Sequence, residues 1–165
     1  MKTTTTEPTQ LFKEIMGSYP TGVTVITTKD ENQKPVGLTA NSFVSVSIDP
    51  LMILWCIDKK AGSWNAFDQA EKFAVNILSG DQKDACMTFA SKKEPDRFSR
   101  QPWKYSDNDL PILENVYASM ECKKVQQVDA GDHYILIGEV IDLSKNEELD
   151  PMMYFRRNMG PIPKW

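Results

Sequence analysis

Histidine is almost missing from this chain. Its 165 residues include one, His133, and three cysteines, Cys56, Cys86 and Cys122, that stand far apart with no C-x-x-C pair. That supply is too thin for a structural zinc site, and no metal is expected. An odd cysteine count also argues against a disulfide framework. The thiols read as small buried apolar residues in a reducing compartment. Nucleophilic triads usually take a histidine as base, so such chemistry would have to gather around His133, and no G-x-S-x-G turn exposes a serine. No acidic pair stands out for glycosidase-like work. No G-x-G-x-x-G follows a strand and no P-loop is present, which removes the common nucleotide folds. There is no basic block and the net charge is −4, so nucleic-acid binding through the phosphate backbone is not expected. No window is apolar over the length of a membrane span. The Thr-rich start, residues 1–9, lacks the apolar core of a signal peptide and reads as disordered. The expected compartment is the cytoplasm.

What is present points to one globular domain over residues 1–165. Hydrophobic residues make up 41% and charged residues 25%, enough to build a core. Leu11, Phe12, Ile15 and Met16 recur at helical spacing and stop at Gly17 and Pro20. Residues 22–28 alternate around β-branched side chains and predict a strand. Leu51 to Ile57 is continuously apolar and reads as a strand buried on both faces. Trp64 to Glu71 and Asp81 to Ala90 read as helices, the first with Ser63 or Gly62 as N-cap. Phe73 to Leu78 is a strand with Asn76 embedded in it, and a buried Asn needs hydrogen-bond partners. Val116 to Val128 and His133 to Leu143 form a long hairpin, turned by Asp129 to Asp132 with Gly131 free to take a positive φ. Ser91 to Leu113 is irregular and carries Phe98, Trp103 and Tyr105; it is either a functional loop or a surface loop pinned by aromatics. The tail, Asn158 to Trp165, has two prolines and is expected to be irregular. Strands arranged in hairpins, with few helices, predict a mainly β, antiparallel barrel or sandwich with helices packed outside.

The stretch from Gly37 to Pro50 is the most unusual. Its first half, to Ser42, is small and polar; its second half alternates apolar and hydroxyl residues. Small polar residues along a strand edge leave room for a flat ligand and supply groups to bond it. An ordinary solvated edge strand would look the same. Redox chemistry with a bound organic cofactor suits this residue supply, because hydride transfer to a flavin needs no protein nucleophile. Lys59, Lys60 and Ser63, at the end of one strand and the start of a helix, are placed for a phosphate tail, or are plain turn residues.

Taken together, five segments resemble the flavin reductase-like family, the short-chain reductase components of two-component monooxygenases. They are residues 22–28, residues 37–47 with Pro50, residues 73–78, the Gly131-Asp132-His133 turn with residues 138–140, and residues 150–155, in the family's order. The resemblance implies an antiparallel split β-barrel, a homodimer, FMN or FAD as flavin, and NADH or NADPH as reductant. It implies a monooxygenase partner that receives reduced flavin. It places Thr39, Ala40, Asn41, Ser42, Ser45, Val46 and Ser47 along the flavin, Lys59, Lys60 and Ser63 near its phosphate, and Asn76 close to it. Arg97 and Phe98 would close over its edge, and His133 would face the nicotinamide. A flavin-binding electron carrier or sensor without nicotinamide turnover is the main alternative, and a heme-binding split barrel with His133 as ligand the weaker one.

Overall fold

The structure, a computed structural model, describes residues 7–164. Helix α1 (Pro8–Gly17) starts earlier than its apolar stripe suggests, because Glu7 caps it: the carboxylate accepts from the Thr9 and Gln10 amides at 3.1 and 3.2 Å. Residues 7–9 are therefore ordered, which corrects the expected disorder; residues 1–6 lie outside the described part. None of the helix's residues is buried.

The chain then lays down β1 (Thr21–Gly22), β2 (Thr24–Lys29), β3 (Pro35–Ala40), β4 (Val44–Ile48) and β5 (Leu51–Asp58). Next come α2 (Trp64–Gln69), β6 (Lys72–Ile77) and α3 (Lys83–Ala90). A short hairpin, β7 (Trp103–Tyr105) and β8 (Pro111–Leu113), precedes the long pair β9 (Ala118–Ala130) and β10 (His133–Lys145). The chain closes with β11 (Met152–Phe155) and β12 (Asn158–Pro161).

Seven strands form one antiparallel sheet in the order β3-β2-β6-β9-β10-β5-β4. Its edge strands, β3 and β4, are joined by only residues 41–43. In a flat sheet the two edges would stand about 29 Å apart, six spacings of roughly 4.8 Å. Four Cα steps reach roughly 14 Å at most. The sheet must therefore curl until its edges nearly meet, which makes it a split barrel with its seam at residues 41–43.

Two cores follow from the curl. Inside the barrel pack Ile26, Ile53, Trp55, Ile57, Phe67, Phe73, Val75, Cys122 and Leu136. Outside β2, under α3 and the 91–113 segment, pack Val23, Val25, Leu78, Phe89, Phe98, Leu113 and Met152. Strand β2 runs between the two and is buried on both faces. Strand β5 is not, which corrects the reading from its sequence: Ile53, Trp55 and Ile57 are buried, while Met52, Leu54 and Cys56 on the other face are only partly covered. That face of β5 looks away from the barrel interior, and nothing among the described residues covers it completely.

The β9–β10 turn is as expected, with Gly131 at φ +65°. Two register shifts, after Ile137 and after Val140, bend the pair around the barrel. Gly138 lies where a side chain would collide, since a Cβ would come 2.6 Å from the Phe73 ring. Residues 91–113 are pinned by a run of edge-to-face aromatics, Phe89–Phe98–Trp103–Tyr105, at 5.0–5.2 Å between centroids. The tail corrects the expectation of irregularity over residues 158–161: β12 pairs with β11 in a small sheet, β1-β11-β12. Its only strand proline, Pro161, ends the strand and packs against Gly80.

Candidate functional site

Sheet pairing of β3 ends at Ala40 and that of β4 begins at Val44, so Asn41, Ser42 and Phe43 cross the seam outside either ladder. The side chains of this stretch divide sharply. The Thr39 hydroxyl donates to the Cys86 carbonyl at 2.7 Å and ties β3 to α3. The Ser42 hydroxyl donates to the Cys56 carbonyl at 3.1 Å and accepts from the Cys56 amide at 2.9 Å. It thus stands in for a strand residue and extends the β4–β5 ladder by one rung. Asn41 is exposed and makes no side-chain bond among the described residues. Two of the hydroxyls expected to face a ligand are therefore engaged by the protein, and Asn41 is the open polar side chain of the crossing. Ala40 is half-buried and packs against the barrel core. Ser45 and Val46 are exposed at the β4 edge, and Ser47 lies just after the register shift in that strand.

Beside β3 runs a groove of about 580 Å³ lined by Gly37, Gly62, Ser63, Arg97 and Phe98, among others, within the size range of small-molecule sites. It brings together Ser63, Arg97 and Phe98, which are far apart in sequence. Ser63 begins α2 without its side chain capping the helix, so its hydroxyl is open. Arg97 donates to the Gly37 carbonyl at 2.6 Å and the Ser91 carbonyl at 2.8 Å, latching the 91–100 segment onto β3. Burial lowers its guanidinium below the ordinary value. Phe98 is buried against Phe89 and Trp103 and anchors that latch.

Asn76 does not join this site. It is fully buried; its amide donates to the Val25 carbonyl at 3.0 Å and the Thr27 hydroxyl at 3.1 Å, and its carbonyl accepts from the Leu113 amide at 2.9 Å. It clamps β2, β6 and β8 together, so its expected approach to a flavin is corrected. The embedded-Asn signal was real, but its partners are strands.

A second cluster gathers where β5 ends against the β9–β10 turn. His133 pairs with Asp58 across the sheet, and its Nδ1 meets the Asp132 carboxylate at 2.7 Å. That bond holds the Asp132 carboxyl below its ordinary range. The Lys59 ammonium bonds the Asp129 carboxylate at 2.7 Å and stands 4.9 Å from the centre of the Tyr134 ring, which stacks on Trp64 at 4.2 Å. The bond to Asp129 raises Lys59 above its ordinary value. Lys60 is exposed and forms no ion pair among the described residues. Asp129, Asp132, Tyr134 and Trp64 were not singled out from the sequence. The two aspartates looked like turn formers, and only their i to i+3 spacing around Gly131 hinted at a pair of clamps.

Residues 16–163 match the family model described as flavin reductase like domain. The chain belongs to the flavin reductase-like family. This flavin reductase-like chain is 40% identical over 151 residues to a flavin reductase from Pseudomonas putida, covering 92% of this chain and 88% of that one. It is 44% identical over 129 residues to the reductase component of a flavin-dependent trigonelline monooxygenase from Acinetobacter baylyi, covering 78% of this chain but 41% of the relative. The chain thus spans most of one relative and less than half of the other. Among solved structures it is similar to an NADH:FAD oxidoreductase from Streptomyces globisporus, in complex with NAD and FAD fragments. There the TM-score is 0.91 at 29% identity, covering 99% of this chain and 98% of that one.

Proposed function

We propose that this flavin reductase-like chain is an NAD(P)H:flavin oxidoreductase that reduces FMN, or FAD, with NADH or NADPH and supplies a monooxygenase partner. The seam carries the reading: a crossing of three residues outside either ladder with an open Asn41, between two sheet edges, while a groove lined by Ser63 and Arg97 runs along the other end of β3, at residues 35–37. Those groups fit a flat heterocycle whose edge is rich in hydrogen-bonding atoms. Asn41 and the backbone of residues 39–43 hold the ring edge, with Ser45, Val46 and Ser47 beside it. Thr39 and Ser42 act by fixing the backbone. Ser63, Lys59 and Lys60 offer a hydroxyl and two cations toward a phosphate. Arg97 and Phe98 keep the groove wall in place. When bound, the flavin supplies the ring that takes up hydride. His133, its Nδ1 engaged by Asp132, has Nε2 left to position the nicotinamide.

The working unit is a homodimer of one domain per chain, supported by the apolar side chains left open on β4, β5 and β10: Val44, Val46, Ile48, Leu51, Ile141 and Leu143. The three free thiols suit a reducing compartment such as the cytoplasm. The test is direct. Purified protein with added FMN or FAD should oxidise NADH or NADPH well above the free-flavin background. Oxidation no faster than that background with any of the four pairs ends the reading.

A further inference from the structure

The tip of the β9–β10 hairpin places one carboxylate on each of two basic side chains at that end of the barrel, Asp132 on His133 and Asp129 on Lys59. The Lys59 pair differs in kind from the contacts of Lys124, and is of the kind that Lys29 makes with Asp109 and Lys145 with Glu147. Lys124 is held by the Phe67 and Asp68 carbonyls at 2.9 and 2.6 Å, groups that cannot swing away without unwinding α2. Lys59 is held by a side chain near the end of β9, with 31% of its own side chain and 67% of Asp129's exposed. The Tyr134 ring, braced by Trp64, fixes where the ammonium sits, so the carboxylate is the movable partner. Lys60, next in sequence, has no such partner among the described residues.

We propose that Asp129 is a built-in competitor for the flavin phosphate at Lys59, so that flavin is held as a substrate that leaves rather than as a resident group. The inference rests on the reading above, in which Lys59 lies toward the phosphate. An incoming phosphate gains Lys59 only by displacing Asp129, and Asp129 returns when the phosphate withdraws. The phosphate therefore gains the difference between two ion pairs instead of one whole pair. Because the pair is solvent-exposed, the competition is mild, worth roughly two- to fivefold in an equilibrium constant. A protein that must hand reduced flavin to another protein benefits from that weakening, since affinity changes of this kind fall mostly on the rate of release.

The test is equilibrium titration of FMN and of riboflavin, which lacks the phosphate, into the wild type, Asp129→Asn, Lys59→Gln and the double variant, read by flavin fluorescence. Asp129→Asn should bind FMN roughly two- to fivefold more tightly, release it correspondingly more slowly, and leave riboflavin unchanged. In the Lys59→Gln background the same substitution should do nothing to either. The proposal is overturned if Asp129→Asn leaves FMN unchanged, tightens FMN and riboflavin alike, or tightens FMN equally without Lys59. If the wild type binds neither FMN, FAD nor riboflavin, the flavin reductase reading itself fails, a result distinct from all three.

Discussion

Two asparagines on this barrel do opposite work. Asn76 sits on the central strand β6 and uses its carboxamide on Val25, Thr27 and Leu113. Asn41 sits on the seam and uses its side chain on nothing in the described chain. The same chemical group is a rivet where strands enclose it and an open contact where the sheet's edges fail to meet. Closure of the sheet decides which role a polar residue takes, and at the split the side chain of Asn41 and the backbone ladder are both left open.

That contrast can be broken experimentally. The largest effect is expected at the rivet. Asn76→Ala strands the Val25 carbonyl and the Leu113 amide in the core and should lower unfolding free energy by about 3 kcal/mol in urea titrations. The flavin affinity of the folded fraction should stay the same; intact stability with lost flavin binding would return Asn76 to the site. Ser42→Ala lies between the two cases. It unpairs both backbone groups of Cys56 at the seam, so stability should fall by about 1–2 kcal/mol, and flavin affinity should fall with it. Asn41→Ala should leave the unfolding midpoint in place and weaken flavin binding by about 1–2 kcal/mol, roughly five- to thirtyfold in Kd. An equal loss of stability would make Asn41 structural.

Smaller effects belong to the hairpin tip. His133→Ala should raise KM for the reduced nicotinamide by roughly threefold or more while moving flavin Kd little, as expected of a lost hydrogen-bonding contact. Equal shifts in both would show that His133 holds the turn instead of the substrate. Least of all is the acid response. Asp132 is held below its ordinary value of 3.8, chiefly by the bond from His133. A lowered carboxyl contributes stability that is present above its unfolded pKa and fades as pH falls through the folded one. Asp132→Asn should therefore flatten the acid limb of the stability curve slightly below about pH 4, with neutral stability barely changed.

How much of this was legible in the sequence depends on whether a feature is local. The β9–β10 hairpin announces itself through Gly131 and the alternation on either side, and α3 through the spacing of Ala85 and Phe89. Asn76 also announced that it was buried and bonded. Its partners come from β2 and β8, set by sheet order, which no period along the chain records. The same holds for Thr39 and Ser42, whose hydroxyls bond the Cys86 and Cys56 backbone, and for the clamps on Lys59 and His133. Strand β5 misled because a fully apolar run does not say whether its second cover comes from the same chain. The tail misled because its prolines mask a strand: Pro161 ends β12, and the two-residue turn before it is made by Arg156 and Arg157 at φ +48° and +65°, where glycine or asparagine would have been the visible signal.

The seam has a consequence for synthesis. The stretch from Thr39 to Ser47 is made before β5, β6, β9 and β10, yet neither of its strands can be placed alone. β3 is fixed through β2, β6 and β9, while β4 is fixed through β5 and β10. The two routes meet only at the β9–β10 pair, which ends at Lys145. A nascent chain therefore carries the seam residues long before it has a seam. On the ribosome the seam is completed by a strand made about a hundred residues later, at synthesis rates of roughly 5–20 residues per second, so anything the seam holds cannot guide the placing of its own first strand.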